Sequence, residues 1–466
     1  MEWTLVRPMS ATDSSIAAKE SGRPFGFNII GSVAGNSGLS VSARNIVQLL
    51  LDKGYPVAIY DVDPGWERKG HDVRFEAYTV DTFESLPYSI NIFCMDILAG
   101  PRFVLGYRPF QGAEILFRQG QLNVAMIYWE LNVIPPLWAL PLELFDVAMV
   151  TSHFIRSTLE RHLSNVLTLY TPLPLYQPKG VQPCRARFGL PDDATIFLVS
   201  FDPLSDPRRK NPIGAIEAFQ RATDGDPGAR LVIKANISRH NLERHPHVVA
   251  MAKELRTLQR SDPRVHLMLE SLSYSDVLSL YASCDVFVSL HRAEGLGLGP
   301  MEAMALGKPV IATGWSGNMT FMTHTNSCLV RYRLVEADGA MSIYQAKRIG
   351  RQAQWAEPDI DDAAAWMRRL LRDPELRATI GRRAAEDVAL YQTEAEEGRF
   401  IEELRAVKEH RAHSPANADA RALVRRKLER AYKQARWKPF RGVRTLVARR
   451  VKYLRYHLAR VLPSRT

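Results

Sequence analysis

Two carboxylates stand on either side of a glycine-rich turn in this 466-residue chain. Glu294 and Glu302 have seven residues between them, including Gly295, Gly297 and Gly299. Glycines let backbone N–H groups approach an anion closely, and a helix start favours negative charge. A carboxylate beside such an anion site suits hydrogen bonds from sugar hydroxyls. The pattern therefore predicts a site for a phosphate joined to a polyol, which is the chemistry of a nucleotide sugar.

A βαβ-like unit positions these residues. The apolar run 286–290 predicts a strand, 300–306 predicts a short helix, and 310–313 predicts a second strand. Pro300 suits the first helical position, and Gly307 suits the position just past a helix end. The glycine turn is thus expected at the start of a helix that follows a strand.

A basic cluster precedes this unit in the chain. Arg208, Arg209 and Lys210 lie between a predicted strand at 196–201 and a predicted helix at 213–221. One interpretation is a solvated turn. The other is a cationic clamp for a diphosphate, because arginine binds such groups in a bidentate manner and lysine acts as a point charge.

The first half of the chain begins with a similar unit. A predicted strand at 27–30 leads into GSVAGNSGLS, and Ser40 or Ser42 is expected to start the next helix. Strand, glycine-rich turn and helix form the first unit of a doubly wound sheet, whose ligands bind at that turn. Two interpretations stay open for the glycines of this loop: a tight turn, or a backbone that passes close to a ligand. The glycines concerned are Gly31, Gly35 and Gly38.

Alternating strands and helices continue through both halves and predict an α/β protein with parallel sheets covered on both faces. The proline-rich stretch 172–184 reads as a linker, 331–358 reads as loop, and helical patterns return at 361–371 and 375–408. Further strands are expected at 57–60, 89–93, 123–128, 147–150, 231–234, 265–268 and 327–330, and further helices at 153–162, 248–258 and 274–282.

Two shorter patterns allow alternative interpretations. Trp129 and Glu130 follow a predicted strand, where an acid among aromatic residues suits sugar recognition, or where a hydrophobic loop carries a salt-bridged glutamate. Asp61-Val62-Asp63 is an acid-x-acid sequence, but a loop with solvated acids is favoured there over a metal site.

The charge of the chain is concentrated at its end. Residues 421–466 contain 16 of the 61 Lys and Arg and one of the 50 acidic residues, whereas the other 420 residues have 45 basic and 49 acidic side chains. The body is therefore mildly acidic, and the pI gives no reason to expect nucleic acid as a partner. The four cysteines lack metal or disulfide spacing, which fits a reducing cytoplasm. No apolar run is long enough for a spanning helix, and the polar start shows no signal-peptide core.

The basic tail at 413–466 has an amphipathic pattern. Apolar residues from Phe440 to Leu462 recur at spacings of three and four, with Arg and Lys between them. Such a helix is typical of a surface-lying membrane anchor, and packing on the protein or a partner is the alternative.

These motifs together resemble the GT-B retaining glycosyltransferases that carry an E-x7-E motif (family 4-like, group 1). The resemblance rests on EGLGLGPME, the downstream EAMALGKPVIAT, the upstream YASCDVFVSL, the RKNP around Lys210 and the loop GNSGLSVSAR. It covers roughly residues 25–410. Two positions depart from the pattern: Trp129-Glu130 replaces a histidine of many relatives, and Arg209 adjoins Lys210 instead of preceding it by several residues.

The resemblance implies two Rossmann-like domains that face a cleft, with no tightly bound cofactor or metal. Glu294 would bind donor-sugar hydroxyls, and Glu302 would accept hydrogen bonds from the ribose diol. Glu294, Glu130 and Lys210 are the implied catalytic residues. The implied donor-binding residues are Gly35, Gly38, Arg209, Lys210, Glu294, Gly295, Gly297, Leu298, Gly299 and Glu302.

The predicted organisation is a lead-in (1–24), an acceptor domain (25–178), a nucleotide-sugar domain (179–390), a returning helix (391–412) and the basic tail (413–466). The predicted function is transfer of a hexose from a GDP- or UDP-sugar to a lipid-linked or polysaccharide acceptor at the cytoplasmic membrane face. Mannose, and a role in polysaccharide or lipopolysaccharide assembly, are the specific expectations. The alternatives are a transferase or phosphorylase on a soluble sugar, and a catalytically silent sugar-nucleotide-binding scaffold.

Overall fold

A computed structural model describes residues 23–35, 37–62, 72–96, 116, 121–163, 166–177, 180–237, 242–243, 245–411, 426–427 and 430. Most of the predicted lead-in and almost all of the predicted basic tail lie outside these residues. Within the described part of the chain, no helix combines the length and the apolar character needed to cross a membrane.

The first sheet has six parallel strands in the order β2-β1-β3-β4-β5-β6. Its strands are β1 (Phe27–Gly31), β2 (Val57–Asp61), β3 (Ile90–Asp96), β4 (Leu122–Tyr128), β5 (Val147–Val150) and β6 (Leu167–Tyr170). The helices described between them are α1 (Gly38–Asp52), α2 (Pro136–Leu142) and α3 (His153–His162). The chain reverses its winding direction between β1 and β3, which is where ligands of open α/β sheets bind.

The second sheet has six parallel strands in the order β12-β11-β10-β7-β8-β9. Its strands are β7 (Thr195–Phe201), β8 (Ala229–Ala235), β9 (Val265–Met268), β10 (Val286–Ser289), β11 (Val310–Thr313) and β12 (Cys328–Val330). Its helices are α4 (Pro207–Lys210), α5 (Pro212–Thr223), α6 (Pro246–Ser261), α7 (Tyr274–Ser283) and α8 (Leu298–Ala305). Here the winding reverses between β7 and β10.

The segment predicted as loop at 331–358 is instead a structured arm, so that prediction is wrong. It contains the antiparallel strands β13 (Tyr332–Glu336) and β14 (Gln354–Pro358), with the short helix α9 (Ala346–Ile349) between them. We call residues 332–358 the arm. Three exposed residues in succession at the start of β13 hide the two-residue alternation that normally indicates a strand.

Three helix boundaries also differ from prediction. Ser37, rather than Ser40 or Ser42, caps α1, because its Oγ accepts the Ser40 N–H at 3.2 Å. Pro300 is the third residue of α8 and not the first. The helix predicted over 375–408 is two helices, α11 (Pro374–Glu397) and α12 (Phe400–Arg411), separated by Gly398 in the left-handed conformation; α10 (Ile360–Arg372) precedes them.

The two sheets share hydrophobic core. One buried cluster joins Phe93, Trp129 and Trp138 of the first half to Tyr344 and Trp355 of the arm. On another side, α11 contacts the segment after the first sheet, where the Tyr391 hydroxyl accepts the Leu173 N–H at 2.9 Å. Apolar side chains and hydrogen bonds therefore join the two halves at two places.

Candidate active site

The glutamate that follows β10 is buried and held by two cations. The Nζ of Lys210 lies 2.5 Å from Glu294 Oε1, and Nη1 of Arg209 lies 3.4 Å from Oε2. Burial by itself would raise the pKa of Glu294, but Lys210 and then Arg209 outweigh it and lower the pKa to about 2. Glu294 is therefore ionised throughout the physiological range.

Both cations sit at the carboxyl end of β7, beside the point where the sheet reverses direction. They belong to the four-residue helix α4, whose first two free N–H groups, on Arg208 and Arg209, donate to Asp206 Oδ1 at 3.0 and 3.1 Å. Asp206 holds a positive φ of 70°, which is unusual for a residue with a side chain. This cap turns the chain so that Arg209 and Lys210 face Glu294.

The loop after β11 fixes the backbone of Glu294. Its N–H donates to Ser316 Oγ at 2.8 Å, and its carbonyl accepts the Gly317 N–H at 2.9 Å. A Cβ added at Gly317 would lie 2.0 Å from the Gly295 carbonyl oxygen, so only glycine allows the two loops to approach this closely. The turn that carries Glu294 is thus fixed by two other loops.

The start of α8 faces the glycine loop of the first sheet. Gly297 has φ 96°, a left-handed conformation that turns the chain so that Leu298 and Gly299 can begin the helix. A Cβ added at Gly38 would lie 3.7 Å from the Leu298 side chain. The two glycine segments predicted from the sequence therefore meet across the cleft.

The loop after β1 is held on both sides. Asp61 Oδ1 accepts the N–H groups of Val33 and Ala34 at 2.8 and 3.4 Å. Arg44, which is 3% exposed, donates to the carbonyls of Val33 and Gly35 at 2.6 and 2.7 Å. Asp61 thus shapes the loop, and within the described residues no three His, Cys, Asp or Glu side chains form a group that could hold a metal.

Glu302 lies on the buried side of α8. Its Oε1 accepts the Tyr274 hydroxyl at 2.8 Å. Burial raises the pKa of Glu302 to about 7. The hydrogen bond from Tyr274 lowers this pKa, but by less than burial raises it. The two glutamates of the motif thus have opposite electrostatics: Glu294 is always charged, whereas Glu302 titrates near neutrality.

We expect Glu302→Gln to change how stability depends on pH. The raised pKa means that protonation of Glu302 contributes stability that is fully present below pH 4.5 and lost as pH rises through about 7. One unit of pKa corresponds to about 1.4 kcal/mol, so the free energy of unfolding of the wild type should fall by about 3 kcal/mol across this range. The variant should not show this loss. Melting temperatures at pH 5 and pH 8 test this; an equal pH dependence for both proteins would contradict the burial of Glu302.

Glu130, at the carboxyl end of β4, contacts the second half of the chain. Its Oε1 lies 3.4 Å from Arg209 Nη2, and its Oε2 accepts the Tyr344 hydroxyl at 2.8 Å. The Arg209 guanidinium also lies over the Tyr344 ring, with its central carbon 5.3 Å from the ring centroid. The sequence predicts a catalytic role for Glu130, and that role stays a prediction.

Sequence reasoning missed Tyr344 and His291. Tyr344 lies in the arm, which was interpreted as loop. His291 is fully buried and bonded to Ser289 Oγ at 2.9 Å and to Asn318 Oδ1 at 3.1 Å, and burial lowers its pKa. Its place directly after a strand and three residues before Glu294 is a signal that could have marked it.

Part of the chain is similar in sequence to known proteins. The model of the family described as "Glycosyl transferases group 1" matches residues 204–333. D-inositol 3-phosphate glycosyltransferase of Mycobacterium bovis is 27% identical over 146 residues, which are 31% of this chain and 28% of the relative's own length.

Solved structures match over most of the chain. Sucrose-phosphate synthase of Thermosynechococcus elongatus has a TM-score of 0.58 at 19% identity, covering 82% of this chain and 100% of that one. The α,α-trehalose-phosphate synthase (UDP-forming) of Burkholderia vietnamiensis has a TM-score of 0.55 at 12% identity, covering 82% and 99%. The Anabaena protein HepE, in complex with UDP and glucose, has a TM-score of 0.51 at 14% identity, covering 80% and 99%.

The chain has the GT-B fold. The segment matched by the glycosyl transferase family model, 204–333, contains Arg209, Lys210, Glu294 and Glu302.

Proposed function

We propose that the protein is a retaining glycosyltransferase that moves a hexose from a nucleotide sugar to an acceptor. The observation that carries this proposal is the ionised, buried Glu294, set between Lys210 and the N-terminal end of α8. A helix start binds a diphosphate, and the adjacent carboxylate binds sugar hydroxyls. These two features stand at the switch point of the second sheet.

Each residue has a role in the transfer. The bond between the anomeric carbon and the diphosphate oxygen breaks, a bond to the acceptor oxygen forms, and the acceptor proton passes to the departing diphosphate. Lys210 and the amides near Gly297, Leu298 and Gly299 stabilise the leaving diphosphate, which is an electrostatic effect. Gly35 and Gly38, in the loop after β1, face this diphosphate site from the first sheet. Glu302 accepts hydrogen bonds from the ribose diol.

Arg209 contributes from a greater depth. It is 2% exposed, and its guanidinium donates to the carbonyls of Ala293 and Ser205 at 2.6 and 3.0 Å as well as contacting two glutamates. These contacts occupy the group, so its effect on the diphosphate is through charge and not through a direct hydrogen bond. Lys210, whose side chain is 19% exposed, is the cation that a diphosphate in the cleft can reach.

UDP is the first donor nucleotide to test. HepE is in complex with UDP and glucose, and the Burkholderia synthase is UDP-forming. The expectation of mannose from GDP-mannose has no comparable support. A panel of UDP-, GDP- and ADP-sugars, scored by release of the nucleoside diphosphate and by the anomeric configuration of the product, tests the proposal. Release from none of them would overturn it, and an inverted product would overturn retention.

We propose a lipid-linked or polysaccharide acceptor at the inner membrane face, with the basic tail as the anchor. The support is the charge of residues 421–466, since each basic residue near an anionic leaflet contributes about 1 kcal/mol. We expect the full chain to sediment with phosphatidylglycerol vesicles at low salt, and the chain truncated after residue 420 to remain in solution. Phosphatidylcholine vesicles and high salt are the controls, because both remove the electrostatic attraction.

A soluble, phosphorylated acceptor is the second candidate. The names of the Mycobacterium relative and of both synthases point to phosphorylated products or acceptors. If vesicles retain neither protein, and the full and truncated chains have equal turnover, this candidate is favoured over the membrane acceptor.

A further inference from the structure

Four charged side chains, two buried and two partly buried, form one group where the two sheets meet. Arg209 and Lys210 are the cations, and Glu294 and Glu130 are the anions. Glu130 comes from the first sheet, and the other three come from the second. The formal charges cancel, and the charge of Arg209 is shared between the two carboxylates at 3.4 Å each.

Both oxygens of Glu130 are already occupied. Oε2 accepts the Tyr344 hydroxyl, and Oε1 faces Arg209. Burial acts to lower the pKa of Arg209, but Glu130 is the strongest of the groups that oppose it, and the pKa is raised overall. Geometrically, the contact between Glu130 and Arg209 is an ion pair that joins the two halves of the chain. A carboxylate held in this way serves its cation and is poorly placed to bind an acceptor hydroxyl.

From this geometry we infer that Glu130 is a charge-balancing residue, whose carboxylate neutralises Arg209 and so limits the affinity of the cleft for the nucleoside diphosphate product. This inference rests on the proposed function. Without Glu130, the charge around Arg209 and Lys210 would be more positive by one unit, next to Glu294. A dianionic or trianionic product would then be held more tightly and released more slowly.

The arm holds Glu130 in position for this role through Tyr344. Tyr344 reaches Glu130 because Asp206 Oδ2 accepts the Met341 N–H at 2.6 Å, which fixes the arm against α4. The arm also bonds to the first half at Asn132, whose Oδ1 accepts the Gln354 N–H at 2.9 Å. Glu130 and Asn132 thus both join the two halves, but only Glu130 brings a charge.

Glu130→Gln tests the inference, because glutamine can still accept from Arg209 and can bond to Tyr344 while removing the charge. We expect the variant to bind UDP at least threefold more tightly than the wild type in calorimetric titration, with a smaller difference at high salt. Both kcat and KM for the nucleotide sugar should fall, because product release becomes slower. A purely structural role predicts the opposite, namely weaker binding.

Asn132→Ala is the matched control, since it loosens the same interface without changing charge, and its UDP affinity should equal that of the wild type. Equal or weaker binding of UDP by Glu130→Gln, or tighter binding by Asn132→Ala, would overturn the inference. If Glu130→Gln does not fold, Glu130→Met removes the same charge with a side chain of similar size and keeps Arg209 in place, and it should again tighten UDP binding. A wild type that binds none of UDP, GDP and ADP would overturn the proposed function itself.

Discussion

Glu294→Gln is expected to lower turnover of the nucleotide sugar at least tenfold. The pKa of Glu294 is about 2, so the substitution removes a full negative charge at any working pH. In the wild type, the Lys210 ammonium lies 2.5 Å from a Glu294 carboxylate oxygen. The substitution leaves this ammonium without its counter-ion beside the departing diphosphate. Lost sugar contacts and a misplaced lysine both act on the transition state. Initial rates of nucleoside diphosphate release measure the effect.

Glu357→Gln is a matched control for this prediction. Glu357 is also a carboxylate paired with an arginine, at 2.6 Å from Arg292, but it lies in the arm, with its side chain 30% exposed. Its substitution should change turnover less than twofold. Normal turnover in Glu294→Gln, with an unchanged melting temperature, would remove Glu294 from the site.

Arg209→Met is expected to be the most destabilising substitution at the cleft, by about 3–5 kcal/mol, the usual effect of removing one partner of a buried ion pair. It leaves Glu130 with only Tyr344 and removes the hydrogen bonds to the Ala293 and Ser205 carbonyls. Because Arg209 joins both halves of the chain, the variant should also be cleaved more readily by proteases near the linker. Thermal unfolding and limited proteolysis measure these effects.

Arg208→Met provides the comparison from the adjacent position. Arg208 pairs with Asp338 at 2.8 Å, but both side chains are more than half exposed, and such surface pairs contribute about 0–1 kcal/mol. Its melting temperature should stay close to that of the wild type. Equal losses in the two variants would show that the burial of Arg209 has no special consequence.

Local patterns predict much of this fold. The strands at 147–150, 265–268 and 286–289 and the helix at 153–162 follow from apolar periodicity, because each is a short buried strand or an amphipathic helix. The glycine turn at 295–299 could be predicted because its backbone conformation requires glycine at Gly297.

The contacts between the two halves could not be predicted in this way. Glu130 meets Arg209 and Tyr344 across 79 and 214 positions of sequence, and no local pattern contains that pairing. The sequence allows either a solvated turn or a diphosphate clamp at Arg209, because arginine can bind a diphosphate in a bidentate manner. Its burial between two glutamates depends on how the sheets and the arm pack.

Titration of nucleotide sugars into the wild type and into Glu302→Ala tests whether the start of α8 binds a nucleotide sugar. We expect at least one of the UDP-, GDP- or ADP-sugars to bind the wild type, and Glu302→Ala to bind it at least tenfold more weakly because the ribose diol loses its acceptor. Absence of binding to the wild type, or equal affinity in a folded Glu302→Ala, would contradict a nucleotide-sugar site at the start of α8.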